Sequence, residues 1–245
     1  MKKKTIYLIC LVLIAHCFSG CVVASISNVN AVRGTGELEK YDFRVGEFNS
    51  IVADGYFKIN YHSAYSDTVT LEIQPNLLEH FEIKNEDGCL TIKTLRVIRT
   101  DSEKTPVLTV STPLLNELVI KGVSEIRTHD TINADSFALV LSGVASGSMD
   151  FNVENINANV SGAGSLELSG NADKADFYMA GAASLDALAL QTREAKIIMS
   201  GAGSIKVSCS ENLSILASGA GSIEYRGSPV IDMNNTGVVS IRKIN

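Results

Sequence analysis

SGVAS at 142–146, SGAGS at 161–165, AGAAS at 180–184, SGAGS at 200–204, SGAGS at 218–222 and TGVVS at 236–240 are copies of one phrase, and KGVSE at 121–125 is a degenerate further copy. The leading glycines are Gly122, Gly143, Gly162, Gly181, Gly201, Gly219 and Gly237, spaced by 21, 19, 19, 20, 18 and 18 residues. So narrow a period across half of the chain is the signature of a repeat architecture.

The residues before each glycine alternate. Two, four and six positions back stand Leu141, Leu139 and Phe137, then Val160, Ala158 and Ile156, then Met179, Phe177 and Ala175. Period two means a strand with one face inward. Four positions past the glycine an aliphatic returns, as at Leu166, Leu185, Ile205, Ile223 and Ile241. Each unit therefore reads as strand, glycine corner, strand and polar return, and no unit carries a helical period. A unit of this size cannot bury its own core, whereas stacked copies bury a continuous one. The expected fold is all-β: a single-stranded parallel (right-handed) β-helix, or β-solenoid, with coils of about 19 residues. Glycine at the corner is expected to serve positive φ and close coil stacking. The serine three past it is expected to stack in a structural hydroxyl ladder. It is no nucleophile elbow, because Gly-x-Ser-x-Gly is absent.

The N-terminal half reads as the same theme with more drift. Phe48 to Ile59 is strand, Gly55, strand; Thr68 to Ile73, Phe81 to Lys84, Cys89 to Lys93 and Val107 to Ser111 continue the strands. Asn85 to Gly88 is a turn, Asn76 to His80 a short helical turn, and 95–105 an exposed loop. No linker interrupts the chain, so a single continuous solenoid is expected, with two lobes as the alternative.

The first twenty residues read as an address. Lys2, Lys3 and Lys4 precede an apolar run from Ile6 to Ala15, too short to cross a hydrocarbon core of about 30 Å. Phe18-Ser19-Gly20-Cys21 resembles a lipobox, which implies lipidation of Cys21; an ordinary secretory cleavage is the other reading. The expected organisation is a signal peptide over 1–20, a lipidated tether over 21–40 and a β-helix over 41–245, regular from 116. An acyl anchor holds by burying methylenes at ~0.8 kcal/mol each. No Asp follows Cys21, which favours an outer-membrane lipoprotein, on the periplasmic face or the cell surface.

Phe48 to Ile59, Asn76-Leu77-Leu78, Asp87 to Ile92, Pro113 to Leu118 and then the tandem SGAGS corners resemble, in that order, the putative auto-transporter adhesin head GIN domain family. The resemblance spans about residues 41–242. It implies a parallel β-helix and an adhesin-like role, and it supplies no catalytic residues to carry over.

Composition excludes several functions. The net charge of -6 and pI near 5.3 oppose nucleic acid, which needs clustered cations. Tryptophan is absent and aromatics are 6%, so no stacking platform for bases or sugars is evident. His62, His80 and His129 lack metal-ligand spacing, His129-Asp130 is a lone pair in a turn, and no calcium-roll aspartates recur. No metal, cofactor or catalytic residue is assigned. Five past each glycine stand Arg127, Ser148, Glu167, Asp186, Lys206, Glu224 and Arg242, read as a solvated, partly paired charge ladder. Cys89 and Cys209, 120 residues apart, are expected to be unpaired.

Three before each glycine, on the outer face, the residues are Val119, Val140, Asn159, Tyr178, Ile198, Leu216 and Asn234. Stacked in register, the apolar members Val119, Val140, Tyr178, Ile198 and Leu216 would form a stripe some 25–30 Å long at ~4.8 Å per coil. Such a patch marks an interaction surface. Its occupant is a protein or glycan partner, a second copy of the chain, or a segment of this chain such as 95–105. Two functions follow: a non-enzymatic envelope adhesin or binding scaffold, and, as the alternative, a carbohydrate-active β-helix enzyme of polysaccharide-lyase type. The short uniform repeats leave no insertion to wall a cleft, which favours the scaffold.

Overall fold

The computed structural model describes residues 31–245. The segment read as a signal peptide, residues 1–20, and Cys21 lie outside the described residues.

Val144–Val160, Ala163–Met179, Ala182–Met199 and Ala202–Ala217 each run as one long strand from one Ser-Gly or Ala-Gly corner to the next. Each pairs in parallel with the coils before and after it. The result is a β-solenoid of about seven turns. Two sheets follow from the corners. The leading sheet holds the strands that approach each glycine; the trailing sheet holds those that leave it.

Alternation and register together build the core. Leu139, Ala158, Phe177, Ile197 and Ile215 stack one above another in the leading sheet and are all buried. Leu166, Leu185, Ile205 and Ile223 form the facing column of the trailing sheet and are buried too. Each such side chain is worth about 1.5–3 kcal/mol when fully buried. Phe137, Ile156, Ala175 and Ala195 stack in the adjoining inward column, and the rings of Phe137 and Phe151 lie with their centroids 5.0 Å apart.

The corner glycines serve one of the two purposes expected, close coil stacking, and not the other. Neither Gly201 nor any other leading glycine has a positive φ. A Cβ on Gly201 would stand 2.1 Å from the carbonyl oxygen of Gly181, one coil below, and that oxygen accepts the N–H of Ala202 at 3.0 Å. Side chains are therefore excluded by the neighbouring backbone. Positive φ appears two residues later, at Gly203 with φ +151°. The serine ladder forms in part: the hydroxyls of Ser184 and Ser204 meet at 2.9 Å.

The solenoid is not continuous through the N-terminal half. Ser50–Asp54 and Tyr56–His62 make one coil around Gly55. Glu117–Ile120 and Val123–Thr128 stack on one side of it. Cys89–Thr94 and Val107–Ser111, later in sequence, stack on the other. Beyond those, pairing turns antiparallel: Phe81–Glu86 lies against Cys89–Thr94, and Glu39–Arg44 against Thr68–Ile73. The segment from 63 to 115 thus folds back as a cap, closing the end that a stacked coil would leave open. The short helical turn is a 3-10 helix, Pro75–His80, with Leu77 buried.

The boundary expected at residue 41 lies earlier. Val32–Arg33 pairs with Ile98–Arg99 inside the segment read as a loop. The Thr35 amide donates to Asn76, and Gln74 donates to the Gly36 carbonyl. Residues 32–40 therefore belong to the cap: their backbone bonds the loop carbonyls of Val97 and Arg99 and the side chains of Gln74 and Asn76.

Candidate functional site

The stripe forms in register. Val119 pairs with Val140, Val140 with Asn159, Asn159 with Tyr178, Tyr178 with Ile198 and Ile198 with Leu216. The column continues the other way to Val52, opposite Val119; spacing could not foretell this, since Val52 is 67 residues upstream of its neighbour. Stacking alone half-buries Val119, Val140, Tyr178 and Ile198, and Leu216 stays 45% exposed. Segment 95–105 lies elsewhere: Ile98–Arg99 pairs with Val32–Arg33, Lys104 bonds Glu37, and Thr105 meets Tyr56 across the corner in the trailing sheet.

The charge column also forms in register. Arg127, Ser148, Glu167, Asp186, Lys206, Glu224 and Arg242 follow one another on the trailing sheet. Lys206 reaches Asp186 at 3.4 Å, and Arg242 pairs with Glu224. Exposed pairs of this kind are worth about 0–1 kcal/mol each. His129 is not alone: the ring of His62 stacks on it at 4.7 Å and 7°, and His62 Nδ1 lies 3.4 Å from Asp130. Among the described residues no group of three or more His, Cys, Asp or Glu is placed to hold a metal.

One feature differs from the expectation of a cleft-free surface. Where each return bends into the leading sheet, two adjacent residues both point outward, as in Asp135-Ser136, Glu154-Asn155 and Asp173-Lys174. Stacked, these bends open a trough of about 1490 Å³ along the coils, from Asn116 to Gly227. Val153, Ala172, Phe137 and Ile156 lie beneath it with their side chains in the core. Two of its three cations are paired, Lys174 with Glu194 at 3.1 Å and Arg193 with Glu211 at 2.9 Å, and the third, Arg226, donates to the Asn245 carbonyl. The hydrogen bond from Arg193 holds the Glu211 carboxyl below the usual carboxylate range. A second hollow of about 380 Å³ adjoins at Leu114, which lines both, and carries Tyr65, 66% exposed. The sequence signal was available: a polar pair eight and seven residues before the glycine in consecutive units, including Arg193-Glu194 and Glu211-Asn212.

Comparison with known families ties this geometry to a group. The family described as putative auto-transporter adhesin, head GIN domain, matches residues 47–229. The chain belongs to this family. The match takes in much of the cap as well as the regular coils up to residue 229. Solved structures share the fold. A putative adhesin from Bacteroides fragilis NCTC 9343 superposes with a TM-score of 0.82 at 24% identity, over 87% of this chain and 100% of that one. A putative adhesin from Parabacteroides merdae ATCC 43184 gives 0.63 at 20% identity, over 88% and 99%. A protein from Parabacteroides distasonis ATCC 8503 described as a putative lipid binding protein gives 0.59 at 20%, over 88% and 100%. No curated protein matches the chain. Membership of the head GIN domain family supports an adhesin-type binding role at the cell envelope.

Proposed function

We propose that this head GIN domain chain is a non-enzymatic, lipid-anchored binding scaffold of the outer membrane, held through Cys21 and docking a partner on the outer face of its leading sheet. The observation that carries the reading is the apolar column Val119, Val140, Tyr178, Ile198 and Leu216, one residue per coil, interrupted by Asn159 and ended by Asn234. Patches of that extent on a folded surface mark interaction sites. The adhesin description of the family supports a binding role, and the SGC sequence ending at Cys21 supports the anchor.

The test uses a photo-crosslinking residue in place of Ile198, with Ser222 on the trailing sheet as control. Crosslinking in intact envelopes is expected to trap a partner or a second copy at 198 and not at 222. Tyr178→Asp with Ile198→Asp should keep the far-ultraviolet circular dichroism and abolish that adduct when the crosslinker sits at Leu216. Equal labelling at both sites, or none at 198, removes the stripe from the proposal. Cys21→Ser should release the protein from the membrane pellet; a variant that stays there refutes the anchor.

A further inference from the structure

We propose that the trough along the returns binds an extended, uncharged polysaccharide, with Tyr65 stacking on a sugar ring at its capped end. The inference does not depend on the apolar stripe, which occupies a different column of the leading sheet.

Shape comes first. The trough holds about 1490 Å³, above the roughly 300–1,000 Å³ usual for a compact small-molecule site. It is drawn out along stacked coils, at ~4.8 Å per coil. A linear polymer fits such a shape; a compact metabolite does not.

The polar groups come next. Part of the amide set is structural: Asn152 donates to Asn133 at 3.1 Å and Asn155 to Ser136 at 3.4 Å. Asn157 and Asn171 also line the trough, and their side-chain amides have no partner among the described residues. Each amide offers both donors and an acceptor, the pairing that a sugar hydroxyl, itself donor and acceptor, satisfies in either sense.

Charge then separates the polymer classes. Asp135, Glu154, Asp173 and Asp176 line the wall and form no salt bridge among the described residues, while Lys174 and Arg193 are neutralised by Glu194 and Glu211 and Arg226 alone opposes the four acids. The wall therefore repels nucleic acids and uronate polymers. An extended peptide repeats its same-face side chains every ~6.6 Å, out of step with the coils, whereas a hexose unit is close to one coil step in length.

The aromatic completes the site. Tyr65 is 66% exposed in the hollow that shares Leu114 with the trough. An exposed ring beside a polar groove is the stacking surface that the absence of tryptophan had argued against.

The test is affinity electrophoresis of the full-length protein in detergent through gels containing dextran, yeast mannan or hydroxyethyl cellulose, with polygalacturonate and gelatin as anionic and polypeptide probes. At least one neutral polysaccharide is expected to retard the protein. Tyr65→Ala should weaken that retardation about tenfold in Kd, equivalent to about 1.4 kcal/mol. Asn157→Ala with Asn171→Ala should weaken it at least as much. Because these side chains are exposed or unpartnered, circular dichroism should not change. Tyr178→Asp with Ile198→Asp should bind as the unaltered protein does, which separates this site from the stripe. No retardation by any of the three neutral polymers overturns the proposal. So does retardation by polygalacturonate or gelatin alone, or retardation that survives both the tyrosine and the asparagine variants.

Discussion

At the scale of the residue, the corner glycines show what a repeat reports and what it hides. Spacing alone marked Gly122 to Gly237 as positions where only glycine is tolerated. It left open whether positive φ or close coil stacking was the reason, because φ is invisible in a list of residues. The structure assigns the constraint to close approach: the glycine carbonyls sit under the next coil at about the distance a Cβ would need. Gly201→Val places that Cβ 2.1 Å from the Gly181 oxygen, a backbone atom that cannot move without breaking the bond it accepts from Ala202. Ser204→Ala removes one hydroxyl pair with Ser184, a net loss of about 1 kcal/mol. Gly201→Val should therefore cost several times as much, read as the difference in thermal midpoint between the two variants. Equal midpoints would show that the coils can separate at the corner without penalty.

At the scale of the element, the strands of the N-terminal half were legible and their partners were not. Thr68–Ile73 and Val107–Ser111 stand where alternation places them. Alternation is the same in parallel and antiparallel pairing, so it could not foretell that Thr68–Ile73 pairs antiparallel with Glu39–Arg44. Nor could it foretell that Cys89–Thr94 stacks beneath a coil that precedes it in sequence. That order bears on the thiols. From Cys89–Thr94 to the coil of Cys209 there are seven steps in the leading sheet, about 34 Å at ~4.8 Å each. A disulfide needs Cα atoms within about 7 Å, and both cysteines are free in the structure. Native protein should react with a maleimide at half-buried Cys89 first. Cys209, 2% exposed with its sulfur against the carbonyls of Arg193 and Asn212, should react only on unfolding. Detection of a Cys89–Cys209 peptide without reductant would contradict the stacking order.

At the scale of the whole molecule, the solenoid has one closed end and one open end. Antiparallel strands and the 3-10 helix cover the first coils, and every large side chain of Leu71, Ile73, Leu77, Leu90 and Ile92 is fully buried there. At the other end Val230–Asn235 continues the leading sheet with nothing stacked upon it among the described residues. Met233 stands in the same column as Ile215, one coil further out. The two differ in cover: Ile215 is 2% exposed and Met233 52%. In a stack whose stability is a sum of nearest-neighbour interfaces, the outermost coil frays first. Ile215→Asp buries a carboxylate between two coils and should cost about 3 kcal/mol or more. Met233→Asp leaves its carboxylate in water and should cost well under half of that. Urea midpoints of the two variants, with hydrogen exchange over 230–243 running faster than over 195–217, check the difference. Should Met233→Asp prove as damaging as Ile215→Asp, the open end is covered in solution, and the surface that covers it becomes the next interface to find.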